Sequence, residues 1–89
     1  MASYALMKFR INNDFFDWEQ AFYSAQPMAR NAGSIEIFHG RTDEDPQVCM
    51  VLAQISSKAA MEEFFENAKD AVAASGHILE TTEITMLNN

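Results

Sequence analysis

The longest apolar run in the chain is Val48 to Ile55, Val-Cys-Met-Val-Leu-Ala-Gln-Ile, bounded by Asp45-Pro46 before it and Ser56-Ser57 after it. A strand covered on one face alternates apolar with polar residues. Here Val48, Met50 and Leu52 on one side and Cys49, Val51, Ala53 and Ile55 on the other are all apolar, which predicts a central strand covered on both faces. Tyr4 to Ile11 does alternate, with Ala5, Met7, Phe9 and Ile11 on an oily side and Tyr4, Leu6, Lys8 and Arg10 on a mixed one, as in a half-buried strand. Phe15, Trp18, Phe22, Ala25 and Ala29 then recur at helical spacing and make one stripe, widened by Phe16 and Tyr23. Asn13 is placed to cap this helix, with Asp14 and Asp17 favourable to its positive end. Pro27 predicts a kink or a restart near Gln26, and Gly33 ends the helix. Ser34 to Arg41 reads as a second strand, with Ile35, Ile37 and His39 on one face and Glu36, Phe38 and Gly40 on the other. The acidic turn Thr42 to Pro46 joins it to the apolar run. Ser57 caps a second helix carrying Met61, Phe64, Phe65, Ala68 and Val72, Gly76 closes it, and His77 to Leu87 is a fourth strand rich in Thr and Ile.

The resulting order is strand, helix, strand, strand, helix, strand, and its halves echo each other, since Gly33 and Gly76 both hand a helix over to a strand. Right-handed crossovers turn that order into a single α+β domain over residues 1–89. It is a ferredoxin-like βαββαβ sandwich, a four-stranded antiparallel sheet with strands one and three central and two helices on one face. Two helices roof only one face of a strand that is apolar on both. Leu6, Met50 and Leu52 fall on the open face, and the cover expected there is a second copy of the chain.

The pattern Asn-Asp-Phe-Phe-Asp-Trp, Ala-Phe and Ala-Arg-Asn-Ala-Gly in the first half, with Ala-Met-Glu-Glu-Phe-Phe and Ala-Val-Ala-Ala-Ser-Gly in the second, resembles the dimeric α/β-barrel superfamily. It is similar in particular to small bacterial members of that group without assigned function, with a distant kinship to proteins of the antibiotic-biosynthesis-monooxygenase type. The resemblance spans nearly the whole chain, but its motifs are packing and capping residues. It implies a homodimer whose sheets close face to face. The superfamily holds cofactor-free quinone-forming monooxygenases, haem-degrading monooxygenases and pure binding modules, and fold alone does not choose among them. The haem-degrading branch carries an asparagine on strand one and a tryptophan and a histidine on helix two. Here no asparagine precedes Asn12, and helix two has Phe64 and Phe65 but neither Trp nor His, so no haem ligand can be named.

Charge and composition narrow the partners. Eighty-nine residues with six Lys+Arg against thirteen Asp+Glu carry a formal charge of −7, which argues against a nucleic-acid backbone as partner. The single cysteine forms no intrachain disulfide, the start of the chain has no signal-peptide pattern, and no run is long enough to span a membrane; a cytoplasmic location is expected. Two histidines and one cysteine write no zinc set, Asp43-Glu44-Asp45 lacks the glycine and distal glutamate of a calcium loop, and no cofactor is expected. Cys49 has no activating partner and reads as a buried thiol.

His39 is the candidate catalytic or ligand-binding group, on the helix side of strand two near the mouth of the hairpin. The plainer alternative is a histidine at the sheet edge with its ring partly in solvent. Trp18 and Phe22 on helix one and Phe65 on helix two could wall a pocket beside it, although aromatics at that spacing also simply fill cores. Lys8, Arg10, Glu36, Gln54 and Glu80 are expected to populate the open face. Two functions remain. One is a small-molecule binding protein, or a cofactor-free enzyme, taking a small aromatic or polyketide-like compound between sheet and helices. The other is a non-catalytic homodimeric structural or interaction module. A pocket above ~300 Å³ containing His39 favours the first, and a cleft filled by Trp18 and Phe22 favours the second.

Overall fold

A computed structural model describes all of residues 1–89. Its elements run β1 (Ser3–Ile11), α1 (Phe15–Asn31), β2 (Ser34–Arg41), β3 (Val48–Ile55), α2 (Lys58–Asn67), α3 (Lys69–Ala74) and β4 (His77–Asn88). All sheet pairings are antiparallel and the strand order is β2-β3-β1-β4, so β1 and β3 are central as the hydrophobic pattern requires.

Directly opposed residues of antiparallel strands share a face. Ala5, Met7 and Phe9 oppose Ala53, Val51 and Cys49, and all six are buried under the helices together with Ile11 and Ile55. Trp18 and Phe15 from α1 and Met61 from α2 complete that core. The other face carries Tyr4, Leu6, Lys8 and Arg10 opposite Gln54, Leu52, Met50 and Val48. No helix covers it. Ile35 and Phe38 of β2 extend this face, at 54% and 65% exposure.

Two irregularities depart from the alternating pattern and both shape the site. In β2 the register shifts between Glu36 and Phe38, so that Glu36 opposes Ala53, His39 opposes Val51, and Ile37 is the extra residue of a bulge. The expected set Ile35/Ile37/His39 is thereby split. His39 does face the helices, but its companion there is Glu36, which the unbroken alternation had put on the open face, while Ile35 opposes Gln54 on that open face. In β4 the pairing jumps from Arg10↔Ile78 to Lys8↔Glu83, which leaves Leu79 to Thr82 looped opposite Phe9. Thr81 Oγ1 accepts from the Arg10 amide at 2.8 Å and donates to the Ile78 carbonyl at 2.6 Å, in place of the missing ladder bonds.

The helix ends follow side-chain chemistry with three differences from expectation. The cap of α1 is Asp14, whose Oδ2 accepts from the Phe16 amide at 3.0 Å. Asn13 instead ties the β1–α1 turn to the end of α3, its Nδ2 donating to the Ser75 carbonyl at 3.0 Å. α1 passes through Pro27 without a restart. Gln26 Nε2 and Ser24 Oγ donate to the Phe22 and Gln20 carbonyls in the turn before it, and the proline withholds the helical donor from the Tyr23 carbonyl. The second helical segment breaks at Ala68 into α2 and α3, next to Asn67, a residue type that favours non-helical local bonding. Ser57 caps α2 as expected, accepting from the Ala60 amide at 3.0 Å.

Candidate functional site

Between the sheet and the three helices lies a cavity of about 510 Å³, of whose 21 lining residues 15 are hydrophobic. That size is within the range of small-molecule sites. β1 and β3 supply its floor through Met7, Phe9, Val51 and Ala53, and α2 and α3 supply one wall through Phe64, Phe65 and Val72. Trp18 and Phe22 form the α1 wall, stacked on each other at 4.9 Å between ring centroids. Alanines on α1, at the α2–α3 break and on α3 leave the space open, because Ala21, Ala25, Ala68 and Ala71 project only a methyl group where larger residues would close it.

His39 stands behind the aromatic wall and is not part of the cavity lining. The Trp18, Phe22 and Tyr23 rings surround it at centroid distances of 6.1, 4.8 and 5.4 Å. Its Nε2 donates to Glu19 Oε2 at 2.7 Å and its Nδ1 donates to Glu36 Oε1 at 2.8 Å. A carboxylate offers only acceptors, so both bonds are satisfied together by the imidazolium. Burial alone would lower the His39 pKa, but the bonds and charges of Glu19 and Glu36 outweigh it and raise the pKa above its ordinary value. The Tyr23 hydroxyl donates to the same Glu19 oxygen at 3.3 Å. The link back to the cavity is Glu36, which lines it.

The structure therefore brings Trp18, Phe22 and Phe65 to one cavity and places His39 one residue removed from it. His77, to which sequence reasoning gave no role, does line the cavity. It is buried, its ring is stacked flat on Phe9 at 3.8 Å, and its Nε2 lies 2.6 Å from Thr82 Oγ1, which the loop in β4 swings into reach. Burial without a charged partner pushes its pKa down to about 4, so the ring is neutral at physiological pH. His77 and Phe65 also border a second recess of about 290 Å³ between α2 and β4, rimmed by Glu62, Glu66 and Lys69. The only sequence hint of His77 was its place directly after Gly76; the β4 loop that gives it a partner has no signal in an alternation of Thr and Ile. Cys49 is fully buried, and burial raises its thiol to about 11. No helix is long and apolar enough to cross a membrane.

Comparison with known proteins gives a family and a fold. The model of a domain of unknown function, DUF3764, matches residues 2–89. No curated protein matches the sequence. Among solved structures, a protein from Bordetella bronchiseptica assigned as an antibiotic biosynthesis monooxygenase superposes with a TM-score of 0.78 at 14% identity, covering 99% of this chain and 96% of that one. One from Nitrosomonas europaea with the same assignment gives 0.71 at 9% identity, covering 99% and 89%. A point variant of SnoaB, a cofactor-independent oxygenase from Streptomyces nogalater, gives 0.69 at 15% identity, covering 99% and 92%. At these identities the likeness shows a shared fold, the ferredoxin-like sandwich of monooxygenase-type proteins.

Proposed function

This chain belongs to the DUF3764 family, and we propose that it binds a small, flat, largely apolar compound in the cavity between sheet and helices. The observation that carries this is the space itself, about 510 Å³ kept open by alanines and walled by Trp18, Phe22 and Phe65. Apolar walls facing water forfeit roughly 25 cal/mol for each Å² that a bound compound would cover, so a compound seated on them stabilises the fold. Flat rings stacked on Trp18 and Phe22 recover that loss. A cofactor-free reaction on the bound compound, such as the name of the Streptomyces neighbour describes for that protein, would be a second step on the same wall. We further propose that the chain works as a homodimer, with Leu6, Leu52, Ile35 and Phe38 of one open face against those of its partner.

Trp18 is the chain's one tryptophan, so its emission reports the cavity directly. Titration with quinones and flavonoids is expected to find at least one class that shifts or quenches that emission saturably. Ala25→Phe, which fills the cavity from α1, is expected to abolish the change. Emission unmoved by every class would remove the binding proposal and leave a structural module whose product is the dimer.

A further inference from the structure

We propose that Glu36 is the recognition group of the cavity and that it selects a compound whose apolar body carries an O–H or N–H donor and no anionic group; this rests on the cavity being a binding site. Glu36 is the only formally charged residue among those that line the space. The β2 register puts it there, opposite Ala53, and the bulge at Ile37 turns His39 to the same side. Its Oε1 is taken by His39 Nδ1 at 2.8 Å, and no donor of the fold engages its second oxygen. A hydroxyl or amine of the ligand, reaching that oxygen from within apolar walls, adds a charge-assisted hydrogen bond where water competes poorly.

The charge balance around Glu36 fixes the sign of what it accepts. Glu19 and Glu36 face one imidazolium between them, which leaves the cluster one negative charge in excess. His39 has both nitrogens engaged and has no donor left for a second anion. No lysine or arginine lines the cavity, and the remaining titratable group there, His77, is an uncharged ring. A ligand carboxylate would thus enter beside a like charge without a counter-ion, at the penalty that attends any unpaired buried charge.

Three compounds with one ring system separate the cases: naphthol, its methyl ether and naphthoate, each titrated calorimetrically into the wild-type protein. Naphthol is expected to bind at least about tenfold more tightly than the ether, the worth of one hydrogen bond to a charged group, and naphthoate is expected to bind most weakly. In Glu36→Gln the preference for naphthol over the ether is expected to shrink. In Glu36→Met, which removes the acceptor, it should fall to about twofold or less, with affinity for the ether retained. Both variants are compared with the wild type by circular dichroism, and should neither fold, the wild-type series still tests the role of Glu36. Equal binding of naphthol and ether, tighter binding of naphthoate, or a preference that survives in both folded variants would overturn the role of Glu36 while leaving the cavity a binding site. Failure of all three compounds to bind any form of the protein would overturn the cavity reading along with it.

Discussion

The two histidines are set against each other by what surrounds them. His77 is buried on Phe9 with a threonine hydroxyl and no charged partner, and its folded pKa is pushed down to about 4. Unfolded, it titrates near ~6.5. The unfolded chain therefore binds the extra proton as pH falls between those values, and the fold loses stability there, by up to about 3 kcal/mol when the whole difference is realised. His39 has the opposite sign. Its folded pKa is raised by Glu19 and Glu36, so its contribution is complete below ~6.5 and is lost as pH rises through the raised value. Stability should thus pass through a maximum between the two transitions. Urea midpoints across this range are expected to fall on the acid side because of His77 and on the alkaline side because of His39. His77→Gln should flatten the acid limb alone and His39→Gln the alkaline limb alone. A variant that flattened the wrong limb would show that its ring does not hold the protonation state its partners imply.

Gly33 and Gly76 end helical segments at the start of β2 and β4, with φ of 88° and 104°. A side chain at such angles carries a penalty of about 1–2 kcal/mol. Space adds to it: a Cβ on Gly76 would collide with the Asn13 side chain, and one on Gly33 with Ser56 Oγ. Gly76→Ala is expected to lower the unfolding free energy by more than the conformational penalty alone, because it also displaces the Asn13 bond to Ser75. An unchanged urea midpoint would contradict this. These turns and the β3 boundaries were legible because each follows from local residue type: glycine after an apolar stripe, or a proline and serines flanking an apolar run. The β2 bulge was not legible. Ile35, Ile37 and His39 alternate without a break, and nothing local marks Ile37 as the residue to be squeezed out, so reading the period faithfully put Glu36 on the wrong face. The same limit hid His77, whose partner Thr82 reaches it only through the loop opposite Phe9. The aromatic wall of the cavity could be read from helical spacing. The Glu36–His39 pair behind it could not, because the bulge at Ile37 sets their relative faces, and neither could the Thr82 partner of His77, which the irregularity in β4 brings into reach.

The molecule as a whole leaves one sheet face without a cover. Phe38, Leu52 and Leu6 lie side by side across β2, β3 and β1, and Leu87 of β4 stands beside Tyr4 on the same face. Lys8 and Glu83 are direct register partners within that face, which allows a charge there to be balanced inside one chain. A contiguous apolar row of this kind on an isolated 89-residue chain would be a liability for association with anything apolar, whereas pairing with its own copy buries it symmetrically. Burial of leucine-sized side chains is worth about 1.5–3 kcal/mol each, so a few per protomer suffice for a stable dimer once the loss of translational freedom is met. Light scattering is therefore expected to give twice the mass of one chain at micromolar concentration. Leu52→Glu sets a charge in the middle of the row, opposite Leu6 and Phe38, where it would face its own copy across the interface. It is expected to give a monomer or an aggregate. Because Leu52 points away from the cavity, any folded monomer it yields should still respond to cavity ligands through Trp18, which makes the two proposals separable. A wild-type chain that stays monomeric at micromolar concentration would overturn the dimer, and a dimer left intact by Leu52→Glu would place the interface elsewhere on the surface.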